Sequence, residues 1–419
     1  VGDADLLPFR DVYKLLEAFC FSQKKLVSHI MGDAAAKDAD RHADGILRKF
    51  ASAPTTREGT MRFRDLFRLL EAMGITIRRF LSKFCDGCAY FLDIDAPRTP
   101  SGPRLGNYLI SREIGSGFYG PCCYMAEHAV TRKRVAIKWP VKREELAVVQ
   151  DIHKQRGVTP GISAVLACGM FDGMPYMVTD LLGSPFNRIF ERLQEHPLEG
   201  RWSAVQVLGR LMVRRLEAVH ECGFVHCDVS PENLLLGPAK WPVGVAGQTA
   251  PYLIDFGLAR RHPGGTSLPG DQGSIEWNSI RSADGGRRIP ADDLEALGWV
   301  MVQGVFGDLP WFEWLCSAYS HWDVRSNRER VVKRVREAKL QLLTQGWDSM
   351  EKGWRKFSDM PEGLDKFLRA CGADRPAEPA PTPDCKVLLQ LLGGDPGLDA
   401  EAAEEEDLRQ YRTVVAPLL

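Results

Sequence analysis

Between Phe224 and Gly257 the chain carries two apolar runs, FVHCDVSPENLLL and, after a loop, YLIDFGLAR, each delivering a carboxylate. No other stretch constrains the fold as much, because it sets Asp228, Asn233 and Asp255 at the ends of strand-like segments. The spacing suits phosphoryl transfer. That chemistry needs one carboxylate to accept a hydroxyl proton, and an amide and a second carboxylate to hold metal on nucleotide phosphates. Asp228 is the candidate for the first task, Asn233 and Asp255 for the second. The competing reading is a strand-loop-strand whose polar residues only turn the chain.

Upstream, a strand over Tyr108 to Ile114 runs into Gly115-Ser-Gly117-Phe-Tyr-Gly120, and further strands cover Cys122 to Val130 and Arg134 to Lys138. Glycines between two strands let backbone N–H groups approach phosphate oxygens without side-chain obstruction. No helix opens directly after Gly120, which removes the dinucleotide-binding reading. Lys138 closes a VAIK run 18 residues after Gly120 and would neutralise charge on the non-transferred phosphates. Its partner would be a glutamate on the next helix, Glu145, or Glu144. Met174 to Gly183 reads as a strand leading into an extended connector, where the backbone of Asp180 and Leu182 would face adenine. Trp202 to Cys222 carries apolar residues at helical spacing and ends at Gly223, a good helix terminator.

At 419 residues the chain exceeds one ordinary core, and roughly two to three domains are expected. A net charge of −1 gives no reason to expect nucleic acid or an anionic membrane as a bulk partner. No apolar run reaches the roughly 18 residues of a membrane span, and no secretory signal comes first. Eleven cysteines, scattered and odd in number, suggest reduced thiols in the cytoplasm or nucleus. Residues 1–95 are expected to form a helical, degenerate EF-hand-like domain. FRDVYKLLEA from Phe9 recurs as FRDLFRLLEA from Phe63, an offset of 54. Glu58 to Asp65 resembles half of a calcium loop, yet the earlier ligand places fall on Pro54, Thr56 and Glu58, so packing or binding of a protein partner is expected rather than calcium. Cys85-x-x-Cys88 lacks a second pair and reads as a structural thiol pair. Residues 96–104, rich in Pro and Gly, form a linker. Residues 396–419 read as a solvated acidic tail with one helix.

The ordered set GSGFYG, VAIK, HCDVSPEN, DFG, GSIEWNSI, DDLEALG and GDLPW resembles eukaryotic protein kinases, and more narrowly the casein kinase 1 superfamily with its vaccinia-related branch. GSIEWNSI stands where most such kinases carry A-P-E, and Arg287-Arg-Ile-Pro-Ala-Asp-Asp-Leu-Glu resembles the superfamily's following segment. The resemblance covers roughly residues 105 to 395. It implies an α+β bilobal fold, with a small β-rich N-lobe over 105–182 and a larger helical C-lobe over 183–395, preceded here by the small all-α domain. It implies transfer of the γ-phosphate of ATP, with Mg²⁺, to Ser/Thr of protein substrates. Catalysis would fall to Asp228, Lys138 and Asn233, and metal to Asn233 and Asp255. The nucleotide would be enclosed by Ile114, Gly115, Ser116, Gly117, Gly120, Cys122, Ala136, Lys138, Glu145, Thr179, Asp180, Leu182 and Asp255, with Cys122 where a Val roofs adenine. Cys227 replaces the usual Arg of H-R-D, which argues against docking of a phosphorylated activation loop. Ser230 replaces the Lys that touches the transferred phosphate, so a pseudokinase acting as a scaffold is the alternative. Arg260, Arg261, Arg281, Arg287 and Arg288 would bind acidic or primed substrates, or form a solvated basic face.

Overall fold

The computed structural model describes residues 6–8, 60–62, 104–116, 122–157, 160–237, 251–312, 315, 325–349, 352–372 and 383–419. The chain divides into two compact units, Val1–Ser101 and Gly102–Leu419.

In the first unit β1 (Leu6–Pro8) pairs antiparallel with β2 (Thr60–Arg62). This strand pair departs from the expected all-α domain. Leu7 faces Met61 at its centre, and these two residues hold the same place in the 54-residue repeat. The two copies thus meet through the segments that precede their FRD motifs. The repeat helices, the calcium-like loop positions, Cys85 and Cys88, and linker residues 96–103 lie outside the described residues.

The second unit opens with β3 (Arg104–Leu105), β4 (Tyr108–Ser116), β5 (Cys122–His128) and β6 (Arg134–Trp139). Helix α1 (Arg143–Arg156) follows, then β7 (Ala167–Phe171) and β8 (Met174–Asp180). The six strands form one antiparallel sheet in the order β3-β4-β5-β6-β8-β7. Val135 and Ile137 are buried with Leu105, Ala126 and Val178 in a small core of their own. The strand period of two therefore sends Ala136 and Lys138 to the opposite face. Helix α1 starts as soon as the chain clears Lys142, with Glu144 and Glu145 in its first turn and His153, Lys154 and Arg156 in its last. Both ends complement the helix dipole.

The larger lobe contains α2 (Phe186–Leu193) and α3 (Leu198–Glu221). Val205, Leu208, Met212, Leu216 and Val219 of α3 are buried in the main core, and Gly223, at φ 77°, ends its run. Two short hairpin pairs come next: β9 (Phe224–Val225) with β12 (Arg260–Arg261), and β10 (Leu234–Leu236) with β11 (Pro251–Leu253). Helix α4 (Pro290–Phe306) is buried over almost its whole length. The Asp292 side chain accepts from Ile289 N–H at its start, and Gly307 at φ 74° closes it. Around it lie α5 (Arg325–Gln345), α6 (Glu362–Ala370) and α7 (Cys385–Leu391).

Residues 396–419 are not a solvated tail. Helix α8 (Ala400–Gln410) lies against α3: Asp407 accepts from Arg210 at 2.5 Å and from Arg214 at 3.2 Å, and Glu404 pairs with Arg215 at 2.6 Å. Tyr411 and Val415 beyond it join the main core, and Leu419 O accepts from Arg192 on α2. The acidic composition is thus matched by an arginine face of α3. Among the described residues, no helix is long and apolar enough to cross a membrane.

Candidate active site

The site lies where the sheet's Lys138 face meets β9 to β11. Lys138 Nζ donates to Glu145 Oε1 at 2.6 Å and to Asp255 Oδ1 at 2.9 Å. The short β6–α1 connection puts Glu145, rather than Glu144, against the lysine. Burial alone would lower the Lys138 ammonium, yet the Asp255 and Glu145 carboxylates hold it above its ordinary value. Burial likewise would raise Asp255, but the Lys138 charge and hydrogen bond, with the Gly257 N–H, take it below the usual carboxylate range. Burial pushes the Glu145 carboxyl up, against the lowering effect of the Lys138 charge and hydrogen bond.

Asp228 sits across from this pair, held from two sides. Ser274 donates to Asp228 Oδ1 through its N–H at 2.9 Å and its hydroxyl at 2.8 Å. Asn233 Nδ2 donates to the Asp228 backbone O at 2.9 Å and to Oδ2 at 3.2 Å. Burial raises the Asp228 carboxyl above its ordinary value, against the lowering effects of His226 and Ser274. A carboxylate so raised is a better proton acceptor. Sequence reasoning missed Ser274 as its partner; the hint was the serine directly after Gly273 in GSIEWNSI.

Asp293, at the start of α4, supports the loop from below. It accepts from His226 N–H at 2.7 Å, Cys227 N–H at 2.8 Å and His220 at 2.9 Å. Those bonds hold Cys227 at φ 69°, a left-handed conformation that a non-glycine residue adopts only when its surroundings fix it. His226 Nδ1 accepts from Asp228 N–H, so its Nε2 carries the proton donated to Ile254 O. The ring meets Phe256 edge-on at 4.9 Å, which ties the Asp228 loop to Asp255.

For the nucleotide pocket, Ala136 stands opposite Thr179 in the β6–β8 register. The Asp180 carboxylate pairs with Lys133 at 2.7 Å, and beyond Leu182 the N–H of Gly183 donates to Leu236 O at 2.9 Å. Strand β4 carries Ile114, Gly115 and Ser116, while Gly117 and Gly120 lie outside the described residues. Cys123 pairs with Lys138 and Cys122 with Trp139, so Cys123, rather than Cys122, shares the Lys138 face. Cys122 instead neighbours Tyr124 and Glu113.

Of the five arginines considered for substrate, four are engaged within the fold. Arg260 binds the Leu258 and Ala259 carbonyls, Arg261 binds Asp151, Arg281 binds Asp292, and the buried Arg288 reaches the Ser282 and Pro269 carbonyls. Arg287 is exposed.

The residues present fit a divalent cation. Asp255 Oδ1 is turned to Lys138 and Gly257, which leaves Oδ2 for a metal, and the Asn233 amide points its nitrogen at Asp228, which leaves its oxygen. Oxygen donors of this kind suit Mg²⁺. Fold and site together define a two-lobed scaffold in which a buried Lys138–Glu145–Asp255 cluster faces the hydrogen-bonded Asp228. A family model described as the protein kinase domain matches residues 108–378, and the chain belongs to that family. A probable serine/threonine-protein kinase of Dictyostelium discoideum is 31% identical to it over 223 residues. That match covers 49% of this chain and 42% of the relative, less than half the length of either.

Proposed function

We propose that the chain is a serine/threonine protein kinase of casein kinase 1 type, which transfers the γ-phosphoryl group of ATP to protein hydroxyls. The observation that carries this reading is that Lys138 is paired with both Glu145 and Asp255 while Asp228 is already oriented by Ser274 and Asn233. The nucleotide would lie between Ala136 and Thr179, with Lys138 on its non-transferred phosphates. Asp255 and Asn233 would hold Mg²⁺, which neutralises charge on the phosphates. Asp228 takes the proton of the substrate hydroxyl as its oxygen bonds to the γ-phosphorus and the bond to the ADP oxygen breaks. The superfamily assignment is supported by GSIEWNSI and by the Asp292-Asp-Leu-Glu motif. Seven described cysteines, all free thiols, support a cytoplasmic or nuclear setting. The repeat-bearing first unit would bind a protein partner.

Ser230 favours a second reading, a nucleotide-binding scaffold without turnover, because it replaces a cation expected on the moving phosphate. The discriminating experiment is transfer of labelled γ-phosphate to a mixed protein substrate by the purified chain, with Mg²⁺ or with chelator. Metal-dependent phosphoserine and phosphothreonine support the kinase. Nucleotide binding without transfer supports the scaffold. Ser230→Lys should then raise kcat, by about tenfold or more if the missing charge limits the rate, with little change in KM for ATP. Unchanged turnover would mean that another cation already serves.

A further inference from the structure

Helix α5 carries Lys339, whose side chain is 1% exposed. A lysine this deep needs acceptors, because burying an ammonium without partners is costly. Its Nζ donates to the backbone O of Asn278 at 2.6 Å and lies 3.5 Å from that of Ile275. Nζ also stands over the rings of Trp299 and Trp311, 5.2 and 5.0 Å from their centroids. Trp311 Nε1 donates to Glu276 O at 3.0 Å. Buried Glu295 of α4 accepts from Ile280 N–H at 2.7 Å and from Trp299 Nε1 at 3.0 Å. One buried cluster therefore holds backbone groups of residues 275, 276, 278 and 280. The same segment begins with Ser274, which fixes Asp228.

We propose that Lys339 is a positioning residue for phosphoryl transfer: from beneath, it sets the Ser274–Ile280 segment so that Ser274 meets Asp228 and the segment can receive the substrate peptide. The proposal rests on the kinase reading for its peptide part, but not for its structural part. Burial pulls Lys339 down to about 7, and burial pushes Glu295 up to about 7. The lysine donates in either charge state, so the hydrogen bonds to Asn278 and Ile275 are the working contact. Carbonyls buried in this way need a donor, and Lys339 Nζ supplies one to Asn278 O.

Lys339→Met alone would leave Glu295 uncompensated and risks misfolding. The test therefore uses the full chain carrying Lys339→Met with Glu295→Gln. This pair removes both charges, keeps side-chain volume, and leaves an amide oxygen for Ile280 and Trp299. A degenerate Ser/Thr peptide mixture is the probe. The expected result is an unchanged KM for ATP with a drop in peptide kcat/KM of about tenfold to a hundredfold. In parallel, amide exchange of a peptide covering residues 273–280 should quicken by about tenfold or more, while that of α4 stays unchanged. Equal loss toward ATP and peptide, or unaltered exchange of the segment, would overturn the proposal. If the unmodified chain transfers no phosphate, the kinase reading fails, and the exchange measurement still decides the role of Lys339.

Discussion

Cys123 pairs with Lys138 across one strand step, so its thiol opens toward the cleft that Asp255 and Lys138 line. Burial pushes that thiol up to about 11. At neutral pH it is almost wholly protonated, and its alkylation should speed about tenfold per unit as pH rises toward that value. Mg-ATP should block the reaction at Cys123 but not at the exposed Cys168, as read by mass spectrometry. Equal labelling of Cys123 with and without nucleotide would remove it from the pocket. The sequence motif points to Cys122 because glycine spacing counts along one strand. The facing residue is instead set by how β5 pairs with β6, and a one-residue change of register turns every side chain over. That Lys138 meets Glu145 is more legible, because only six residues separate them and the helix must open at once. The Asp228–Ser274 contact joins residues 46 apart and leaves no periodic trace.

At the scale of elements, the strands and helices between residues 104 and 372 follow patterns that the chain displays locally. Val135 and Ile137 alternate with Ala136 and Lys138, and Val205, Leu208, Met212, Leu216 and Val219 recur at helical spacing. Helix α8 could not be placed that way. Its Glu- and Asp-rich composition is that of a solvated helix, and its partners Arg210, Arg214 and Arg215 lie almost 200 residues earlier. Once docked, Asp407 and Arg210 are both nearly inaccessible, with 4% and 3% exposure of their side chains. Asp407→Ala would strand a buried guanidinium and should cost about 3–5 kcal/mol in urea unfolding, far above the roughly 1 kcal/mol ceiling of a surface ion pair. A loss below that ceiling would mean that α8 is only loosely attached.

For the molecule as a whole, the unit from Gly102 to Leu419 contains the main core, the core of its sheet and a small cluster of Val225, Cys227 and Leu268, and Lys138, Glu145, Asp228 and Asp255 are brought together within it. Residues 102–419 produced alone should fold and keep phosphate transfer within about twofold of the full chain, because a unit with its own core folds independently. Failure to fold, or loss of transfer, would show that the first unit completes the kinase. The two strands of that unit were not legible as strands. Leu6-Leu-Pro and Thr60-Met-Arg are too short to show a period, and only the repeat offset relates Leu7 to Met61.

The most direct test of the account compares Asp228→Asn with Asp255→Asn, measuring Mg-ATP affinity and phosphate transfer in each. Asp255→Asn should remove metal-dependent nucleotide binding, since the site loses the negative charge that pairs with Mg²⁺ and Lys138 loses one of its two carboxylates. Asp228→Asn should leave affinity for Mg-ATP nearly intact and lower transfer by about 10² to 10⁴, because proton acceptance is lost. Equal loss of affinity in both variants, or normal transfer by Asp228→Asn, would contradict the roles assigned to the two carboxylates.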